Sequence, residues 1–97
     1  MSVQNHFETD DLPTLNPLFM FRWEETQHAY VLLYPEGVVK LNDTAGEILK
    51  RCTGKLTVAE LTAELGRLFD ADPQQLEGSV LKFLEVSHAK GWIRRQA

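Results

Sequence analysis

The fold is decided by the stretch Tyr34-Pro35-Glu36-Gly37-Val38-Val39-Lys40-Leu41-Asn42. β-branched and aromatic residues lie on both sides of a Pro-Glu-Gly turn, which predicts two strands joined by a tight turn. In that turn proline presets φ, and Gly37 tolerates a positive φ. Because Val38 and Val39 are adjacent and apolar, one of them must point away from the core.

A third strand precedes this hairpin, because Phe19, Phe21 and Trp23 recur at a period of two. The run Ala29–Tyr34 is rich in strand-forming residues, so the three strands form an antiparallel meander. The last strand, residues 38–42, then lies at the edge of the sheet with unpaired backbone N–H and C=O groups. The pattern leaves open which residues of that strand point these groups outward.

Three helices are predicted after the sheet. Asn42 or Asp43 can cap a helix over residues 43–52, and Thr57 with Glu60 matches a capping box that opens the second. Asp72-Pro73 starts a third helix over residues 73–90, which Gly91 ends. The residues expected to face the core are Ala45, Ile48, Leu49 and Cys52, then Val58, Leu61, Leu65, Leu68 and Phe69. The fold class is therefore α+β, a three-stranded antiparallel sheet followed by three helices.

The first 17 residues differ in character from the rest of the chain. They are polar and acidic, contain Pro13 and Pro17, and show no periodicity. This composition predicts a flexible or loosely docked arm over residues 1–17, which could shield the edge strand. Residues 18–97 are expected to form a single domain.

Composition and charge exclude several functions. The 97 residues carry a formal net charge of −4, which disfavours nucleic acid because basic residues supply most of that affinity. A single cysteine rules out an internal disulfide and fits a reducing compartment. No signal-peptide pattern and no apolar stretch near the roughly 20 residues of a membrane helix are present. A soluble cytoplasmic protein without membrane attachment is expected.

No group of residues forms a catalytic or metal-binding pattern. His6, His28 and His88 are far apart in sequence, and none lies at ligand spacing from another or from Cys52. Cys52 falls on the apolar face of the first helix, which indicates a buried and unreactive thiol. We therefore expect no enzymatic activity, no cofactor and no metal. The edge strand is then the best available functional surface, since it can accept another chain as an added strand.

The third helix has a wider apolar arc than a single packing contact requires. Its main stripe consists of Leu76, Val80, Phe83 and Leu84. Leu81 and Val86 lie off that stripe. One interpretation places the whole arc in the core. The other places part of it along a groove beside the edge strand, with Leu81 in the core, and the pattern leaves both open.

Three motifs resemble a known family. They are Leu33-Tyr34-Pro35-Glu36-Gly37, Val39-Lys40-Leu41-Asn42 and Ala45-Gly46-Glu47-Ile48-Leu49. In this combination they resemble the signature of the PqqD family of pyrroloquinoline quinone (PQQ) biosynthesis proteins. A turn at Gly54, a helix start at Thr57 and the closing Gly91-Trp92-Ile93 follow in a similar order. The resemblance covers residues 17–93.

The resemblance implies a small winged-helix-like domain that is not an enzyme. Members of the family are peptide chaperones that bind the ribosomal precursor peptide PqqA. They present it to PqqE, a radical SAM enzyme that cross-links a Glu and a Tyr of that peptide. In related domains the leader peptide adds along the third strand and lies against the third helix. The implied peptide-binding residues are Val38, Val39, Lys40, Leu41 and Asn42 in the strand, and Leu76, Val80, Phe83, Leu84 and Ser87 in the helix.

Two other functions remain open beside the peptide chaperone. The chain could be an assembly module that contacts the radical enzyme without binding the peptide. It could also be a DNA-binding winged helix, which the acidic charge and the few basic residues of the third helix disfavour. A homodimer is a further possibility, through pairing of edge strands or exchange of a hairpin about residues 25–28.

Overall fold

A computed structural model, which describes residues 6–96, confirms the three-stranded antiparallel sheet and the three helices. The elements are β1 (Pro13–Leu15), β2 (Met20–Glu24), β3 (Ala29–Tyr34), β4 (Gly37–Lys40), α1 (Asp43–Lys50), α2 (Val58–Phe69), α3 (Pro73–Ala89) and β5 (Ile93–Arg95). A 3-10 turn over Glu25–Gln27 joins β2 to β3. The main sheet has the strand order β2-β3-β4, and β1 and β5 form a separate two-stranded sheet.

The main sheet has one face against the core and one face outward. Leu32 in β3 pairs with Phe21 in β2 and with Val39 in β4. These three side chains belong to the core or pack against it. Val38 lies on the opposite face, because successive side chains of a strand alternate. The prediction that one of the two adjacent valines points outward is confirmed for Val38, which is 59 % exposed.

The turn between β3 and β4 is tighter than expected. Only Pro35 and Glu36 lie outside the two strands, and Gly37 pairs with Tyr34 as the first residue of β4. The glycines with a positive φ are Gly54 and Gly91 instead. Gly37 does not use the positive φ that glycine tolerates, because a two-residue loop leaves this glycine inside the strand ladder.

The predicted helix starts are confirmed by their capping hydrogen bonds. Asn42 Oδ1 accepts from the backbone N–H of Ala45 at 2.7 Å. In the capping box, Glu60 N–H donates to Thr57 Oγ1 at 3.1 Å, and Thr57 N–H donates to Glu60 Oε1 at 2.8 Å. The side chain of Asp72 caps α3. These bonds satisfy N–H groups that have no partner within the helix.

One hydrophobic core lies between the inner face of the main sheet and the helices. Its members include Leu32, Ile48, Leu49, Val58, Leu61, Leu65, Val80 and Leu84. Helix α1 approaches β3 closely because Gly46 lies against the ring of Tyr30, and a Cβ atom at position 46 would overlap that ring. Helix α3 packs along α2 and against β5.

The N-terminal segment packs against the rest of the chain over its described part, residues 6–17. β1 pairs with β5 in antiparallel register. Phe7 is 1 % exposed and belongs to the core, where its ring meets His88 edge-on with 5.5 Å between centroids. The guanidinium of Arg95 lies 5.2 Å from the same ring. The domain therefore includes residues 6–17, and residues 1–5 lie outside the described chain.

Two residues predicted for the core lie at the surface instead. Leu68 is 50 % exposed and Phe69 is 40 % exposed. They occupy the last turn of α2, beyond its last buried residues Leu65 and Gly66. Their spacing fits the apolar face, but the helix end extends past the elements that cover that face.

Candidate functional site

The backbone of β4 presents an open hydrogen-bonding edge. The N–H of Leu41 donates to the carbonyl oxygen of Tyr30 at 3.0 Å. Because bonding direction alternates along an antiparallel strand, Val39 also bonds toward β3, whereas the N–H and C=O groups of Val38 and Lys40 point away from it. No further strand lies beside β4 among residues 6–96. The edge thus offers two donors and two acceptors to another chain.

The five strand residues implied in peptide binding differ in their surroundings. Val38 and Lys40 are exposed, and Val39 is half-buried against the core. Leu41 is buried, Asn42 caps α1, and both lie beyond the end of β4. Within the strand, the outward backbone groups therefore belong to Val38 and Lys40.

Three of the five helix residues implied in peptide binding are core residues. Val80 is 2 % exposed, and Leu84 and Ser87 are fully buried. Their side chains have almost no exposed surface in this conformation, and their assignment as contact residues stays a prediction. Ser87 Oγ is buried without a hydrogen-bond partner in the described part of the chain. Leu76 and Phe83 are half-buried at the margin of the core and keep surface for a ligand.

The sequence reasoning missed a second open edge, along β2. The strand order β2-β3-β4 leaves β2 without a neighbour on one side within residues 6–96. Its outward backbone groups belong to Phe21 and Trp23, since the alternation of β3 directs Arg22 inward. An ion pair joins Arg22 to Glu24 at 3.1 Å along this edge, and charged side chains commonly protect edge strands from pairing. The sequence signal was the meander itself, which always leaves two edges.

An open cleft of about 400 Å³ lies where β2 begins and β3 ends. Its lining residues are Pro17, Leu18, Phe19, Met20, Leu33, Tyr34 and Pro35. The rings of Phe19 and Tyr34 lie 5.5 Å apart at its wall, and Leu18 is 77 % exposed. Apart from the Tyr34 hydroxyl these side chains are apolar, so the cleft offers contact surface and no acid–base chemistry.

Cys52 is the single cysteine of the sequence. It is 3 % exposed, and its Sγ donates to the carbonyl of Ile48 at 3.3 Å. Burial raises the pKa of this thiol to about 12, so the reactive thiolate does not form near neutral pH. The prediction of a buried, unreactive thiol is confirmed.

The acidic and histidine side chains of residues 6–96 nowhere gather into a group of three that could hold a metal ion. None of the helices in the same range combines the length and the hydropathy needed to span a bilayer.

Sequence comparison places the chain among proteins of PQQ synthesis. The family described as coenzyme PQQ synthesis protein D (PqqD) matches residues 29–93, from β3 to the start of β5. A PqqA binding protein of Pseudomonas paraeruginosa is 48 % identical over 87 residues, 90 % of this chain and 94 % of that protein. A PqqA binding protein of Methylococcus capsulatus is 41 % identical over 87 residues, 90 % of this chain and 91 % of that protein.

Two solved structures share the fold. The solution structure of the PqqD truncation of Methylobacterium extorquens PqqCD has a TM-score of 0.80 at 33 % identity, covering 94 % of this chain and 97 % of that one. The crystal structure of PqqD from Xanthomonas campestris has a TM-score of 0.56 at 30 % identity, covering 91 % and 98 %. The resemblance found in the sequence motifs is confirmed. The chain belongs to the PqqD family, the coenzyme PQQ synthesis proteins D.

Proposed function

We propose that this protein is a non-catalytic peptide chaperone of PQQ biosynthesis. It binds the precursor peptide PqqA as an added strand along β4 and presents that peptide to the radical SAM enzyme PqqE. The observation that carries the proposal is the open edge of β4, where the backbone groups of Val38 and Lys40 point outward. An edge of this kind is the surface used in peptide recognition by strand addition.

The relatives support a peptide as the ligand. Curated relatives that cover most of this chain are named PqqA binding protein. The Methylobacterium extorquens domain is described as a functional, stand-alone recognition element for ribosomally synthesized and post-translationally modified peptides. Such an element needs a binding surface and no catalytic group. This agrees with Cys52, whose thiol is buried and stays protonated.

The expected affinity is moderate. The two donors and two acceptors of Val38 and Lys40 allow four backbone hydrogen bonds, each worth about 0.5–1.5 kcal/mol net. One or two apolar peptide side chains add about 1.5–3 kcal/mol each when buried. The cost of association and of ordering a flexible peptide, about 4 kcal/mol or more, is subtracted from these gains. We therefore expect a Kd no tighter than about the micromolar range, which corresponds to about −8 kcal/mol. A chaperone with this affinity can also release its cargo.

The helix contributes through its half-buried residues. We assign peptide contact to Leu76 and Phe83, which keep surface at the margin of the core. Val80, Leu84 and Ser87 instead hold α3 in place from within the core. Strand pairing supplies affinity in this arrangement, and the exposed side chains around β4 select the peptide.

The test is a titration of the isotope-labelled protein with a synthetic PqqA peptide of Pseudomonas paraeruginosa, followed by backbone amide NMR shifts. The expected result is saturable binding, with the largest shifts at residues 38–40 and near Phe83. A scrambled peptide of the same composition is the control. An absence of binding would instead favour a module that contacts PqqE alone, and shifts centred on β2 would move the site to the other edge.

Presentation and self-association are tested with the same reagents. The PqqA complex should bind PqqE in size-exclusion chromatography, whereas the scrambled peptide should form no ternary complex. A homodimer made by pairing two β4 strands would use the same edge as the peptide. In that case PqqA would convert dimer to monomer, and its apparent affinity would fall as the protein concentration rises.

A further inference from the structure

The outer face of the main sheet carries two cross-strand rows of different chemistry. Met20, Leu33 and Val38 lie opposite one another on β2, β3 and β4. Two residues further along β4, the row consists of Arg22, Val31 and Lys40. Directly opposed side chains in a sheet lie close enough to contact one another. Both rows end at the open edge, the first at Val38 and the second at Lys40.

The first row is apolar and open to solvent. Met20 is 60 % exposed and Val38 is 59 % exposed, and neither they nor Leu33 packs against the core. A side chain placed next to Val38 by an added strand would extend this row by one position. An apolar side chain there removes exposed surface of Val38 from water, whereas a charged one would lose part of its own hydration.

The second row presents a cation at the edge. Arg22 is already bonded to Glu24 at 3.1 Å, but no carboxylate within residues 6–96 pairs with the ammonium of Lys40. Val31 between them is 2 % exposed although it lies outside the core cluster. Long charged side chains such as those of Arg22 and Lys40 can lay their aliphatic stems over an apolar neighbour while the charged end stays in water.

From these two rows we infer that the outer face of β4 selects the bound peptide at two positions spaced by two residues. An apolar side chain lies beside Val38 and an Asp or Glu lies beside Lys40. The spacing follows from the strand, because both positions lie on the same face only when they are two residues apart. The side chain between them points to the inner face, beside Val39. This inference rests on the proposed addition of PqqA along β4 and specifies two side chains of the bound PqqA strand.

The predicted pairing of Lys40 with an acidic peptide residue is tested with Lys40→Glu. The matched control is Lys55→Glu, because Lys55 is an exposed lysine in the connection between α1 and α2. Binding of the synthetic PqqA peptide by Lys40→Glu should be weaker by about three- to tenfold. Lys55→Glu should bind as the unchanged protein does. The loss should shrink in about 1 M salt, where exposed charges are screened.

A charge exchange then identifies the peptide partner. Each Asp and Glu of the PqqA peptide is replaced in turn by Lys. One of these peptides should bind weakly to the unchanged protein and recover on Lys40→Glu, as a coupled pair in a double-mutant cycle does. The peptide residue two positions away from that site should be apolar, and Val38→Thr should weaken binding of every peptide that retains it.

The outcomes separate this inference from the proposed function. If Val38→Pro weakens binding by about tenfold while Lys40→Glu binds like the unchanged protein at low salt, strand addition is supported and the two-position selection is overturned. The selection is also overturned if no peptide is rescued by Lys40→Glu. If the unchanged protein does not bind PqqA, the proposed function fails and the selection fails with it. Circular dichroism of each variant confirms that the compared proteins are folded.

Discussion

The N–H of Leu41 donates to the carbonyl oxygen of Tyr30 at 3.0 Å, and this bond sets the direction of every backbone group in β4. The backbone N–H and C=O groups of Val39 point toward β3, as those of Leu41 do, while those of Val38 point away from β3. A proline lacks the N–H donor, so its effect depends on which way that donor points.

We therefore expect Val38→Pro to leave the fold intact and to weaken PqqA binding by about tenfold, the equivalent of one lost hydrogen bond. Val39→Pro removes a bond within the sheet and should lower the free energy of unfolding by about 1–3 kcal/mol. Isothermal titration and urea unfolding measure the two effects. Equal loss of affinity in both folded variants would contradict strand addition.

Helix α3 offers a second comparison, between a core residue and a residue at the core margin. Leu84→Ala should lower the free energy of unfolding by about 2–5 kcal/mol because Leu84 is fully buried. Phe83→Ala should destabilise the protein less and weaken PqqA binding by about tenfold, since the half-buried ring keeps surface for the peptide. Unchanged affinity in folded Phe83→Ala would remove α3 from the binding site.

The N-terminal segment contributes to stability through Phe7. Phe7→Ala should lower the free energy of unfolding by about 3–5 kcal/mol, because the ring is 1 % exposed in the core. Phe69→Ala is the matched control, since the same ring is removed from a site that is 40 % exposed. Urea unfolding followed by tryptophan fluorescence measures both. A similar loss of unfolding free energy in the two variants would mean that the N-terminal segment contributes little to stability.

Two helical glycines are expected to respond in opposite directions to the same substitution. Gly46→Ala should destabilise the protein by about 1–3 kcal/mol, because the new methyl group overlaps the ring of Tyr30. Gly78→Ala meets no atom within 4 Å, and should stabilise α3 by about 0.5–1 kcal/mol. Thermal unfolding of the two variants gives the comparison, and a stabilising Gly46→Ala would show that α1 can move away from β3.

Stability should fall on acidification through His88. Burial, and then the positive charge of Arg95, lower the pKa of His88 below its ordinary 6.5. The imidazole of His88 therefore binds a proton more weakly in the folded protein than in the unfolded chain. The contribution of the neutral ring is complete above pH 6.5 and is lost as the pH falls below it.

His88→Gln should therefore reduce the fall in unfolding free energy between about pH 7.5 and about pH 5. His28→Asn is the control, because His28 is exposed and lies at the left-handed position that ends the 3-10 turn, a position asparagine also tolerates. An unchanged pH dependence in His88→Gln would assign the acid sensitivity to other groups.

The parts of the fold that depend on neighbours in sequence could be predicted. The capping box of Thr57 and Glu60 and the Asp72-Pro73 start are local signals, and the structure contains both. The pairing of β1 with β5 could not be predicted in this way. Each strand has only three residues, and the two are joined from opposite ends of the chain. Phe7 is likewise a single apolar residue among polar ones, and only the assembled core shows its role.

The candidate site was predictable to the same extent. Two adjacent valines required one outward side chain, and Val38 is that residue. The apolar stripe of α3 could not distinguish core residues from groove residues. Val80 and Phe83 are three residues apart and share a helix face, and this spacing is the same whether that face packs on α2 or binds a ligand. Their burial differs only through the elements that surround α3.

The ladder between β1 and β5 brings residues 13–15 beside residues 93–95. Both ends of the domain therefore leave from one small region, held by backbone hydrogen bonds and separate from the main sheet. A domain whose two ends lie side by side can be inserted into a longer polypeptide, or fused to one, without disrupting its core. The Methylobacterium extorquens structure with the same fold is a truncation of a longer PqqCD protein, which is the kind of arrangement that this placement of the two ends permits.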